Sequence, residues 1–335
     1  MKALVDVRRH AGVHWVGDGF PVRTVFLYEQ RGQELSPFLL LDYAGPHRFA
    51  PAKRPRGVGP HPHRGFETVT IVFDGEVAHR DSTGQGGVVG PGDVQWMTAG
   101  AGIMHQEFHS PAFTRRGGMF RMVQLWVNLP AALKLTPPRY QALEAADIPT
   151  VDLAEAAGRV RVIAGAFEGR VGPAQTCSEL NVWDVALNAE SRANLNAPEG
   201  HTTMVVVLSG GLEFAADARI EEAEAALLDR AGCGAEVFAP AATRALVLTG
   251  APLNEPIFGR GPFVMNTEAE IRQAFVDFGT AFRHLDRGSV VLGYGFACRR
   301  RPRGERGSVV QGVVLFEADD QVIDQRTHCR REATL

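Results

Sequence analysis

No stretch of this chain approaches eighteen consecutive uncharged apolar residues, so a membrane-spanning helix is not expected. The start, Met1 to Val16, sets Arg8, Arg9 and His10 into a short apolar stretch and offers neither the hydrophobic region nor the cleavage site of a secretory leader. Cysteine is scarce. Cys177, Cys233, Cys298 and Cys329 are scattered without CxxC spacing, which reads as free thiols rather than disulfides or zinc ligands. Charge of one sign is lacking too: 35 Lys and Arg against 38 Asp and Glu leave a formal net charge of -3. There is no global pull toward nucleic acid or an anionic membrane, and neither is an expected direct partner. Cytoplasmic residence is the expectation.

What is abundant is turn chemistry. With 37 Gly and 20 Pro, short apolar runs alternate with turn signals, as in Thr68 to Phe73 before Asp74-Gly75 and Met204 to Leu208 before Gly210-Gly211. Asp-Gly and Gly-Gly accept positive φ and suit hairpins, so the pattern predicts an all-β chain with few short helices. Glu268 to Phe282 breaks it: Ile271, Phe275 and Phe278, spaced four and three apart, predict an amphipathic helix, with Thr267 as its N-cap. Ser110 to Gln124 also departs from it, and Pro130 to Ile148, containing Pro137-Pro138, reads as a connecting loop or short helix. At 335 residues the chain is long for one core, and the boundary between two domains is placed near residues 130–150. His61 to Gly92 and His201 to Pro240 share a coarse order of strand, glycine turn, Gly-rich stretch and strand, which points to duplication of one barrel.

The chemistry concentrates in two short motifs. His61-Pro62-His63 and His105-Gln106-Glu107 each set two metal-capable side chains two residues apart. Side chains alternate between faces of a strand, so each pair points one way, and two facing strands would close a cage of imidazoles and a carboxylate. Such a site, with a divalent ion, suits iron, zinc, manganese, nickel or copper, and the absence of cysteine argues against a closed structural zinc site. If four protein ligands fill four of six positions, two stay open for substrate, water or dioxygen. Glu67 shares parity with His61 and His63 and competes with Glu107 for the carboxylate position, with Gly65 a potential kink between them. His79 and Asp81 repeat the two-residue spacing but read as a solvated strand face or a hydrogen-bonding pair behind the ligands. His109, just beyond Glu107, also reads as a group behind the ligands. Gly86 to Asp93 is Gly-rich but lacks the lysine of a phosphate loop and reads as tight turns.

Longer segments around these motifs resemble the pirins, members of the cupin superfamily. The resemblance rests on His61-Pro62-His63-Arg64-Gly65-Phe66-Glu67-Thr68-Val69-Thr70 and on Pro91-Gly92-Asp93-Val94-Gln95-Trp96-Met97-Thr98-Ala99-Gly100 running on to His105 and Glu107. Pro37 to Asp42, Leu125 to Pro130 and Gly261 to Thr267 are similar as well. The resemblance implies a bicupin: a metal-binding barrel over residues 1–135, a second barrel without metal ligands over 136–284, and an extension of unknown role over 285–335. It implies Fe(II), held by His61, His63, His105 and Glu107, with Gln95 behind the ligands and Glu67 either behind them or structural. In the second barrel His201 stands alone, and a structural role is expected there.

The activity implied is that of a quercetin 2,3-dioxygenase, opening a flavonol-like small molecule with O2. Glu107 would then be the catalytic base, and Phe66, Trp96, Met97, Phe120 and Met122 are candidates for the apolar pocket wall. The alternative implied is a non-enzymatic, redox-dependent regulator whose iron state alters the surface offered to a protein partner. The extension carries Arg299-Arg300-Arg301-Pro302-Arg303, but Glu317, Asp319, Asp320 and Asp324 offset it, and it reads as a solvated segment.

Overall fold

The runs between glycine turns form strands, and their pairing sorts them into two copies of one arrangement. The computed structural model describes residues 1–9, 12–214 and 218–284, so the extension over 285–335 lies outside the described residues. In the first half, a seven-stranded antiparallel sheet runs in the order Arg139–Leu143, Val94–Thr98, Phe66–Asp74, Gly118–Asn128, Phe38–Phe49, Phe20–Leu27 and His14–Val16. A four-stranded sheet, Gly57–His63, Ile103–His109, Val77–Asp81 and Gly86–Val89, faces it and completes the barrel. The second half repeats the count, seven strands and four. Among the described residues no helix is long and apolar enough to cross a membrane.

The strand Thr202–Ser209 shows why both sheets hold together. Its Met204, Val206 and Leu208 join an apolar core shared with Val69, Ile71, Trp96 and Leu125 of the first half. Its Val205 and Val207 point the other way, into the interior of the second barrel with Trp183, Leu212 and Val247. A strand buried on both faces needs a continuous apolar run rather than alternation, which is what Met204 to Leu208 supplies. The first barrel differs: its apolar floor is built by Phe20, Val22, Phe49, Val72, Phe113, Phe120 and Met122, and polar groups fill the space above.

The halves also trade segments. Leu4–Arg9, at the N-terminus, pairs with Glu224–Leu228 at the edge of the second seven-stranded sheet. In return the hairpin Phe258–Arg260 and Phe263–Met265, with the helix Glu268–His284, forms a strap against the first half, where Val264 packs with Tyr28, Leu39 and Phe66. The helix is capped at its start: Thr267 Oγ1 accepts from the Glu270 amide, and Glu270 Oε2 accepts from the amide of Asn266 just before the cap. Ile271 and Phe278 face the strap's own apolar cluster, whereas Phe275 is 42% exposed. The connector Pro130 to Ile148 differs from its expected form. A 3-10 turn at Ala131–Leu133 is followed by the strand Arg139–Leu143, which extends the first sheet by pairing with Val94–Thr98. Gly86–Val89 is likewise a strand, and the tight turn of that Gly-rich stretch is confined to Gly90–Asp93.

Candidate metal centre

Antiparallel register assembles the histidines. In the four-stranded sheet His105 lies opposite His61 on one side and Asp81 on the other, and Glu107 lies opposite His79. Residues directly opposite point to the same face, so all five side chains enter the barrel. Ring centroids of His61 and His105 are 4.2 Å apart, and His63 stands 4.9 Å from each. One metal-ligating atom from each of His61, His63 and His105 lies within 4.8 Å of the others, and all three residues are buried. A second trio within the same limit is His79, His105 and Glu107. The Glu107 carboxylate thus joins the cluster through the shared His105.

Hydrogen bonds select the tautomers. His61 Nδ1 lies 2.9 Å from the Gly59 carbonyl and His63 Nδ1 lies 3.3 Å from the Pro262 carbonyl. A carbonyl only accepts, so each Nδ1 carries the hydrogen and each Nε2 keeps its lone pair. His105 Nε2 is buried without a partner. Burial lowers His61 to about 4 and takes His63 and His105 well below the ordinary imidazole value, so the rings are neutral, as ligands must be. Burial raises Glu107 to about 7, against the pull of a 3.2 Å hydrogen bond from Thr70 Oγ1 to its Oε1. An orphaned imidazole nitrogen among neutral imidazoles, beside a buried carboxyl, fits a divalent first-row ion.

The strap reaches this site directly, through the Pro262 carbonyl behind His63. Gly65, at φ 86°, turns the chain between Gly57–His63 and Phe66–Asp74, and a Cβ there would collide with the Val264 carbonyl. Arg64 Nε donates to the Ala101 carbonyl at 2.6 Å, its Nη1 pairs with Asp277 at 2.7 Å, and its guanidinium lies over Phe278. Lys134 Nζ donates to the carbonyls of Gly65 and Val264 and to Asn128 Oδ1, pinning the same corner.

The other predicted site residues scatter. Glu67 faces away from the cage: it accepts from Thr98 Oγ1 at 2.7 Å on the shared-core side, near Trp96 and Cys177. Parity with His63 fails because the Gly65 turn puts the two residues in different sheets. Gln95 lies 3.2 Å from His79 Nδ1. His109 instead donates to the Gly19 carbonyl and sits among Phe20, Phe49, Phe113 and Phe120 in the floor. Trp96 belongs to the shared core, and Phe120 and Met122 to the floor. Phe66 stands 5.1 Å from His63, while Met97, which shares strand parity with Gln95, packs on Ala99 and Ile103. Sequence reasoning passed over Trp126, whose ring lies 5.2 Å from His63 and 4.3 Å from Phe66, and undervalued His79 and Asp81, whose side chains are fully buried. Two-residue spacing was the available signal for His79 and Asp81.

Comparison with known proteins bears on the family and the fold. The family profile described as Pirin matches residues 19–127, and the Pirin C-terminal cupin domain matches residues 182–282. A Pseudomonas aeruginosa protein provisionally named a quercetin 2,3-dioxygenase is 57% identical over 278 residues, covering 83% of this chain and 97% of its own. Pirin of Homo sapiens is 35% identical over 261 residues, covering 76% and 85%. The crystal structure of a quercetin 2,3-dioxygenase from Acinetobacter baumannii superposes with a TM-score of 0.83 at 54% identity, covering 86% of this chain and 99% of that one. With both halves matched and the two-barrel fold shared, this chain belongs to the pirin family.

Proposed function

We propose that this protein is an iron-dependent dioxygenase of the quercetin 2,3-cleaving type, with His61, His63, His105 and Glu107 as the ligands. The observation that carries the reading is the convergence of three neutral imidazoles, two of them tautomer-fixed by carbonyls, on one buried point beside a carboxyl. When bound, the ion would supply a Lewis acid for a phenolic oxygen. The chain's own groups do the rest. The Glu107 carboxylate takes the proton of a flavonol 3-hydroxyl, a role its place beside the imidazoles gives it. Thr70 Oγ1 orients Glu107 Oε1. Phe66 and the half-buried Trp126 offer a flat apolar wall beside His63 for a planar ring, and Met97, Ala99 and Ile103 keep water out. The net reaction adds both atoms of O2 to the flavonol, opens the heterocycle and releases carbon monoxide.

The test is protein loaded with Fe(II) and exposed to quercetin under air, following loss of quercetin and release of carbon monoxide. Turnover that disappears in His61→Ala and His63→Ala is the expected result. Failure of the iron-loaded wild type to consume quercetin overturns the enzymatic reading and leaves the regulatory one, for which redox-dependent capture of a protein partner is the measurement.

A further inference from the structure

A buried line of polar groups runs from a surface hairpin to one of the proposed ligands, and the chemistry above makes no use of it. It begins at Asp81, the last residue of Val77–Asp81. Asp81 Oδ1 accepts from Thr83 N at 2.8 Å, Thr83 Oγ1 at 2.6 Å and Gln85 N at 3.3 Å, so the turn itself holds the carboxylate still. Its other oxygen, Oδ2, lies 3.3 Å from His79 Nε2. A carboxylate accepts, so Nε2 carries the hydrogen and His79 Nδ1 is left with a lone pair. Two donors face that lone pair: Gln95 Nε2 at 3.2 Å and His105 Nδ1 at 3.4 Å. Tyr140 stacks on the His79 ring at 5.2 Å with 22° between planes and closes the far side.

The three imidazoles of the cage are therefore oriented by different means. For His61 and His63 the acceptor behind the ring is a backbone carbonyl. For His105 it is a side chain. We propose that His79, anchored by Asp81, is a positioning residue: it accepts the Nδ1–H of His105, so that His105 Nε2 faces the metal, and it strengthens the electron donation of that ring. The inference rests on the metal-centre reading above. An acceptor behind a ligating imidazole raises its basicity, and loss of such a partner typically weakens metal binding by about 10–100-fold. A purely structural His79 would fill space and leave the metal's electronic properties alone.

The experiment uses the full chain with Fe(II), anaerobically, and compares His79→Asn with His79→Gln. The two side chains are polar and close in size. Asn sets its amide oxygen near the position of Nδ1 and keeps the acceptor; Gln sets it near Nε2 and removes it. Expected for His79→Gln are an iron affinity about 10–100-fold weaker by chelator competition and a higher Fe(III)/Fe(II) midpoint potential, with His79→Asn close to wild type in both. Asp81→Asn, which weakens the anchor without touching the ring, should raise the potential by less. Equal behaviour of the Asn and Gln variants, or a potential unmoved in all three, overturns the proposal. Quercetin turnover is not among the readouts, so failure of the dioxygenase reading alone leaves this result standing. A wild type that holds no iron sinks both.

Discussion

Two buried glutamates, one facing into the first barrel and one facing out of it, separate chemistry from packing. Glu107 points into the cage, and Glu107→Gln keeps its volume and its contact with Thr70 while removing the proton acceptor. Its kcat on quercetin should fall by about 10²–10⁴-fold, measured with iron content normalised. Glu67 points into the shared core, where burial pushes its carboxyl above the ordinary value of 4.5. The folded state thus binds this proton more tightly than the unfolded chain does. Its contribution to stability is present at low pH and is lost as pH rises from 4.5 through the folded value. Glutamine does not ionise, so the melting temperature of Glu67→Gln relative to wild type should climb as pH rises above the unfolded value of 4.5. A flat difference would mean that Glu67 titrates alike in both states. The two carboxylates could not be told apart from spacing: parity requires that a strand continue, and the Gly65 turn that breaks it shows itself only once the strands fall into different sheets. The pairs His61/His63 and His105/Glu107 were legible because each lies within one strand. His79 was legible only as one of two readings, since the spacing gives a face but not which face is the interior.

Among elements, the strap is the one whose role exceeds its length. Its helix was legible from the Thr267 cap and the Ile271 and Phe278 spacing, because both are local signals. Its destination was not, because the Val264–Arg64 pairing spans the whole of the second barrel. Arg64 is the fastener, joining Ala101, Asp277 and Phe278. Arg64→Ala should lower unfolding free energy by about 1–2 kcal/mol in denaturant titration. Since the strap carries the Pro262 carbonyl behind His63, the same variant should also bind iron several-fold more weakly. Stability lost with iron affinity intact would show that the carbonyl stays in place without its fastener.

For the whole molecule, the apolar core common to both halves and the exchanged segments make each barrel depend on the other. A fragment of residues 1–135 would lose Arg139–Leu143 from its sheet edge, leave Leu4–Arg9 without a partner and expose Val69, Ile71 and Leu125. It should be insoluble or unfolded by circular dichroism, whereas residues 1–284 should melt in one transition. The repeat of strands and turns was readable along the chain, but the trade of Leu4–Arg9 was not, since its partner strand begins more than two hundred residues later. That trade, with its counterpart in the strap, sets an order of events during synthesis. His63 leaves the ribosome 199 residues before the Pro262 carbonyl that fixes its tautomer. At about 5–20 residues per second that is roughly 10–40 s in which the first barrel has its histidines but not its cage. A metal ion delivered during that interval would meet a site still lacking this carbonyl, which puts completion of the proposed centre after Pro262 is made.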